Sequence, residues 1–202
     1  MQADEMDGWG GVMKMKRIAG IAMAASLSVA ALSCNSIARE SSPVTLIVSG
    51  TQNLNQVDLQ AGAAGCAASL GSVLMQVRLL ESNASRTDLN DVKLDRYQVT
   101  YQRTDGGKLV PQSFVRSTAQ VLLVNGSATS LSDFIAFETN ALNLAPFAAL
   151  LPQNGGKDPD TGLGFVKMDI ILTIYGSTLA GERVSGSARF PVNFCYNCGG
   201  CF

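Results

Sequence analysis

The chain has 202 residues, 47% of them hydrophobic, with 15 basic and 16 acidic side chains and a formal net charge of −1. That balance, with no basic cluster anywhere, excludes the electrostatic footprint of a nucleic-acid binder or a polybasic membrane patch. The chain also has no histidine, which removes Ser-His-Asp and Cys-His nucleophile systems, His-ligated catalytic zinc and His-ligated haem together.

Residues 1–12 carry Asp4, Glu5 and Asp7, acid where an export signal needs base. Translation is therefore expected to start at Met13 or Met15. Lys14, Lys16 and Arg17 then form a basic n-region, and residues 18–32 are an uncharged run of 15 small and apolar residues. That length suits the helical h-region of a signal peptide and is too short to span a bilayer comfortably. The run ends Ala31-Leu32-Ser33-Cys34, which resembles the lipobox of bacterial lipoproteins, although Ala31 stands where leucine is usual and Leu32 is one place late. The resemblance implies a signal peptide over residues 1–33, cleavage before Cys34, and acylation of that cysteine with a diacylglycerol and an N-acyl chain, palmitate-type lipid. The bilayer would then be a partner through Cys34. The alternative is an ordinary secretory signal cut near Ala31 or Ser33. Either way the chain is exported. In lipoproteins of this kind an aspartate directly after the lipidated cysteine retains the protein at the inner membrane, and here that position is Asn35, which implies the outer membrane, on its periplasmic or surface face.

Removing the leader leaves 169 residues at unchanged net charge, since three bases and three acids go with it. That is enough for one domain with a sizeable core. Trp9, the only tryptophan, goes too, leaving no tryptophan platform for stacking sugars. Residues 34–43 read as the lipidated cysteine and a polar tether, and residues 44–202 as the domain.

From Val44 the period is two. Val44, Leu46 and Val48 alternate with polar residues, as do Val73, Met75, Val77 and Leu79. Tyr97, Val99 and Tyr101 share one face against Gln98, Thr100 and Gln102, the clearest half-buried strand in the chain. Asp105-Gly106-Gly107 then turns it. Residues 121–124 and 134–137 are apolar runs too short for ordinary helices and are read as strands. Residues 143–151, with Pro146 suited to a first turn and Pro152 as a stop, are the one short helix predicted. Two long alternating strands close the chain, one through Val166, Met168, Ile170, Leu172 and Ile174, the other through Val184, Ala188, Phe190, Val192 and Phe194. Pro191 lies on the outward parity of the latter and marks an edge or a bulge. Seven or eight short strands with one short helix predict an all-β antiparallel sandwich. The segment Tyr97-Gln98-Val99-Thr100-Tyr101, followed by Asp105-Gly106, resembles the central strand of fibronectin type III and related immunoglobulin-like modules, without their core tryptophan, and implies an immunoglobulin-like sandwich.

Cysteine is the main chemical anomaly. Cys66 stands alone, whereas Cys195, Cys198 and Cys201 crowd the last eight residues. Outside the cytoplasm these four are disulfide candidates with three complete pairings open, and a bridge from Cys66 to one of the terminal three is the preferred one. A zinc site, an iron–sulfur cluster or a thioredoxin-like pair is disfavoured: the pattern lacks the following Cys-Pro of bacterial ferredoxins and has no βαβ context. Asp158-Pro159-Asp160-Thr161-Gly162 loosely resembles the start of a calcium loop, which makes Asp158 and Asp160 weak metal candidates, but its glycine is one place early and a polar turn is favoured. Asp88, Asp91 and Asp95 read as a solvated loop, and Asn83 and Asn125 as turns. No cofactor is implied. The expectation is a non-enzymatic cell-envelope lipoprotein that acts as a structural or interaction module and binds an envelope protein through an edge strand or end loop. Two alternatives stand beside it: a small-ligand or glycan-binding module built on the loops at residues 103–114 and 153–165, and a hydrolase working with carboxylates alone.

Overall fold

The computed structural model describes residues 42–50, 54–61, 69–81, 85–132 and 134–200, all within the compact unit Ser42–Phe202. The signal segment, Cys34, Cys66, Asn83 and Cys201 lie outside the described residues.

Eight strands follow one another: β1 (Val44–Gly50), β2 (Gln56–Asp58), β3 (Val73–Leu79), β4 (Val92–Arg103), β5 (Phe114–Leu122), β6 (Thr129–Leu131), β7 (Phe165–Thr178) and β8 (Arg183–Cys195). They form a three-stranded sheet in the order β1-β3-β6 and a five-stranded sheet in the order β2-β8-β7-β4-β5. All pairs are antiparallel except the short parallel join of β2 to β8. The two sheets enclose one core, so the fold is all-β and sandwich-like. Alternation drives it: Val166, Met168, Ile170, Leu172 and Ile174 of β7 are all buried, as are Val73, Met75 and Val77 of β3, and each such side chain contributes about 1.5 to 3 kcal/mol when removed from water.

The strand β4 changes parity midway. Val92 and Leu94 point inward on even numbers, Tyr97 and Val99 on odd ones, and a register shift between Leu94 and Arg96 accounts for the switch. A bulge re-aims the strand without interrupting it. Close approach fixes two glycines. Beside the bulge, a Cβ on Gly176 would lie 2.5 Å from the Lys93 carbonyl oxygen; where β1 crosses β8, a Cβ on Gly186 would strike the carbonyl oxygen of Leu46 and lie 2.8 Å from Val48 Cγ2. Pro191 faces outward, and β2 joins β8 only over Asn193–Cys195, so the proline costs the parallel join nothing.

Three predicted elements differ. Residues 134–137 form no strand; Ile135 makes a single bridge to Ser69. Its aromatics plug the core instead: Phe134 meets Tyr97 edge-on at 5.0 Å and Phe137 meets Phe194 at 5.7 Å. The predicted helix at residues 143–151 is replaced by 3-10 turns at Thr139–Asn143, Phe147–Leu150 and Pro152–Asn154. The prolines at 146 and 152 leave too little chain between them for α-helical hydrogen bonds, and burying Phe147 against Phe194, 4.2 Å between ring centres, secures the segment. Of residues 121–124, Val121 and Leu122 end β5, while Val124 makes one bridge to Val77.

Candidate functional site

The loops at residues 103–114 and 153–165 do meet, and a guanidinium joins them. Arg103, at the end of β4, donates from Nε to Asp105 Oδ1 at 2.7 Å and from Nη2 to Asp105 Oδ2 at 2.9 Å. From its other side it reaches Asp158, Nη2 to Oδ2 at 2.8 Å and Nη1 to Oδ1 at 3.4 Å, and Nη1 also donates to the Leu109 carbonyl at 3.1 Å. The side chains of Arg103, Asp105 and Asp158 are 2%, 4% and 0% exposed. Asp105 further accepts the amides of Gly107 and Lys167. Burial alone would raise its carboxyl, but these hydrogen bonds and the Arg103 charge outweigh burial and hold it at about 2. Asp158 is lowered in the same way: burial is opposed by Arg103 and by the amide and hydroxyl of Thr161.

The calcium-like spacing at Asp158 and Asp160 is therefore used differently. Asp158 faces a cation, and Asp160 Oδ2 accepts the amides of Lys108 at 2.7 Å and Leu109 at 2.8 Å, so their oxygens turn toward N–H donors and form no oxygen shell for a divalent ion. The segment is the polar turn, closed by the Gly162 amide on the Asp158 carbonyl. Among the described residues no group of three or more Cys, Asp or Glu is placed to hold a metal. Asp105 and Asp158 are both held ionised, the opposite of the raised pKa a carboxylic general acid needs. Asp91, expected in a solvated loop, is buried, and its Oδ1 accepts the Val124 amide at 2.8 Å. Asn125 occupies a turn at φ 52.

At the same end of the five-stranded sheet, where Arg103 pairs with Met168 and Phe165 with Cys195, Cys195 and Cys198 are joined by a disulfide with their Cα atoms 6.0 Å apart. The turn after β8 brings these two within disulfide reach, which among the three complete pairings leaves Cys201 as the terminal cysteine for the expected bridge from Cys66. Cys66 and Cys201 lie outside the described residues. The turn wraps an unforeseen group, Asp58. Its Oδ1 accepts the amides of Gln60 and Asn197, both at 2.9 Å, and its Oδ2 those of Cys198, Gly199 and Gly200 at 2.9 to 3.1 Å. Positive φ at Asn197, Gly199 and Gly200 aims those amides inward, making a backbone nest for a carboxylate. Burial opposes ionisation, yet the amides of Gln60, Gly200, Cys198 and Asn197 hold the Asp58 carboxyl below its ordinary value. Gln56 Nε2 ties the same turn through the carbonyls of Cys198 and Gly200.

Both loop assemblies are thus spent on closing one end of the five-stranded sheet. What the fold presents outward is β5. It ends the five-stranded sheet, runs nine residues, and among the described residues no strand pairs with its outer edge. Val115 is 56% and Val121 47% exposed. Arg116 is the only charged residue in the strand, set over the Phe114 ring and 3.3 Å from Glu138; there is no lysine or proline to blunt the edge. Beneath β5, a hollow of about 320 Å³ opens between it and Leu131, Ser132, Phe134 and Ile135. A second, polar hollow of about 400 Å³ lies on the outer face near Arg96, Tyr175 and Arg183; the Arg96 guanidinium sits 4.8 Å over the Tyr175 ring and covers that ring face against a stacking ligand. No family model, curated protein or solved structure matches the chain.

Proposed function

We propose that the chain is an exported outer-membrane lipoprotein, held at the bilayer through acylated Cys34, whose immunoglobulin-like domain is a non-enzymatic interaction module that pairs through the outer edge of β5. The observation that carries the reading is the nine-residue edge with two half-exposed valines and a single charge. An unpaired strand offers its amides and carbonyls in alternation, and an incoming strand satisfies them while its side chains read the neighbouring surface. The immunoglobulin-like part of the reading rests on the Tyr97, Val99, Tyr101 strand inside the larger sheet, and the anchor on the Ala31-Leu32-Ser33-Cys34 sequence.

Placing a benzophenone amino acid at Ser117, on the outward face of β5, tests this in intact cells. Irradiation should give a discrete covalent adduct, while the same group at Thr173, on β7 and flanked by β4 and β8, should give none. No adduct from Ser117, or equal adducts from both positions, would refute the use of this edge.

A further inference from the structure

We infer that the partner of β5 is β5 of a second copy, paired antiparallel about a twofold axis through Thr118. The inference rests on the proposed use of this edge. Read from both ends, Phe114-Val115-Arg116-Ser117-Thr118-Ala119-Gln120-Val121-Leu122 is close to self-complementary. Centred on Thr118, Phe114 meets Leu122 of the second copy, Val115 meets Val121, Arg116 meets Gln120, and Ser117 meets Ala119. An isologous contact requires this kind of self-matching.

Facing agrees with the pairing. Val115 and Ser117 lie opposite the outward Gln98 and Arg96, while Gln120 and Leu122 lie opposite the inward Leu94 and Val92. Every proposed pair joins residues of the same face, so the two five-stranded sheets continue as one without inverting either. Alternative registers fare worse. Sliding by two residues in either direction sets one exposed valine against serine or alanine and Phe114 or Leu122 against a polar side chain; centring on Arg116 opposes two like charges, which is unfavourable across a strand pair. In the favoured register Arg116 faces a neutral glutamine and keeps its own Glu138. Two copies tethered to one membrane also meet at raised effective concentration, as linked modules do.

Cysteine cross-linking of the full-length chain in detergent micelles reads the register directly, with the wild-type chain setting the background from native cysteines. With a short bismaleimide, Thr118→Cys alone should shift to the mass of a dimer, and so should a mixture of Val115→Cys with Val121→Cys. Val115→Cys alone should stay at monomer mass, because six strand positions, roughly 20 Å, separate it from its own counterpart. Absence of dimer from Thr118→Cys, or dimer from Val115→Cys alone matching the mixture, overturns the inference. If Thr118→Cys gives no dimer while the Ser117 benzophenone captures a different envelope protein, the second copy is refuted and the edge reading stands; if both fail, both fall.

Discussion

Replacing Arg103 with methionine removes the charge of the buried lock while keeping most of the side-chain volume, and the structure sets the cost. Five hydrogen-bond contacts are lost, and two carboxylates with side chains 4% and 0% exposed remain without their cation. Breaking a buried ion pair from one side costs about 3 to 5 kcal/mol, since the remaining charge is buried without compensation. With a urea m-value of about 2 kcal/mol per molar, the midpoint should fall by about 2 M. Urea unfolding of the full chain at pH 7, followed by far-UV circular dichroism, measures this. The deficit should shrink in acid, where the stranded carboxylates protonate. The triple variant Arg103→Met, Asp105→Asn, Asp158→Asn should recover most of the loss, because no ionised group is left buried. A single Arg103→Met variant within 1 kcal/mol of wild type, or a triple variant no better than the single, would refute the reasoning.

Asp58, Asp105 and Asp158 all have carboxyls lowered from the ordinary value of 3.8 in the folded state, so the unfolded chain binds more protons just below that value. Their stabilisation is complete above about pH 4 and drains as pH falls; for Asp105, whose folded value is about 2, roughly 2 kcal/mol is lost between those limits. Melting temperature should decline from pH 4 to pH 2, and a flat profile would contradict the assignment. Gly186→Ala should destabilise by about 1 to 3 kcal/mol, since the new methyl has no room beside the Leu46 carbonyl; unchanged thermal unfolding would show that β1 and β8 part without cost. Under the proposed acylation of Cys34, Cys34→Ala should move the protein from the membrane to the soluble fraction with its melting unaltered, because about 0.8 kcal/mol per buried CH₂ over three acyl chains would be what holds it at the bilayer. Wild-type protein recovered soluble with an unmodified Cys34 would remove the anchor from the account.

The long strands were legible because each buries one face: β1, β3, β4, β7 and β8 all show alternation, and even the bulge at Asp95 is written as the step from Leu94 to Tyr97. Edges were not legible. Most of β5 was missed because neither of its faces is buried along its length, and three-residue strands such as β2 and β6 carry too few positions to show a period. Residues 134–137 misled because a run of aromatics fills a sandwich mouth as readily as it forms a strand. For the sites, Asp158 and Asp160 stood out by spacing, but their meaning depended on Arg103, an arginine whose partner lies 55 residues away. Asp58 left no side-chain pattern at all, since its partners are backbone amides; the Gly199-Gly200 pair, which permits the inward turn of those amides, was the only local hint.

Hydrogen exchange along residues 114–122 tests the central claim most directly, comparing the full chain in isolated envelope membranes with the same chain diluted in detergent. The amides of β5 that face away from β4 have no partner among the described residues, so pairing at this edge predicts slow exchange in membranes and fast exchange on dilution, with β7 protected in both. Identical fast exchange of β5 in both preparations would contradict it.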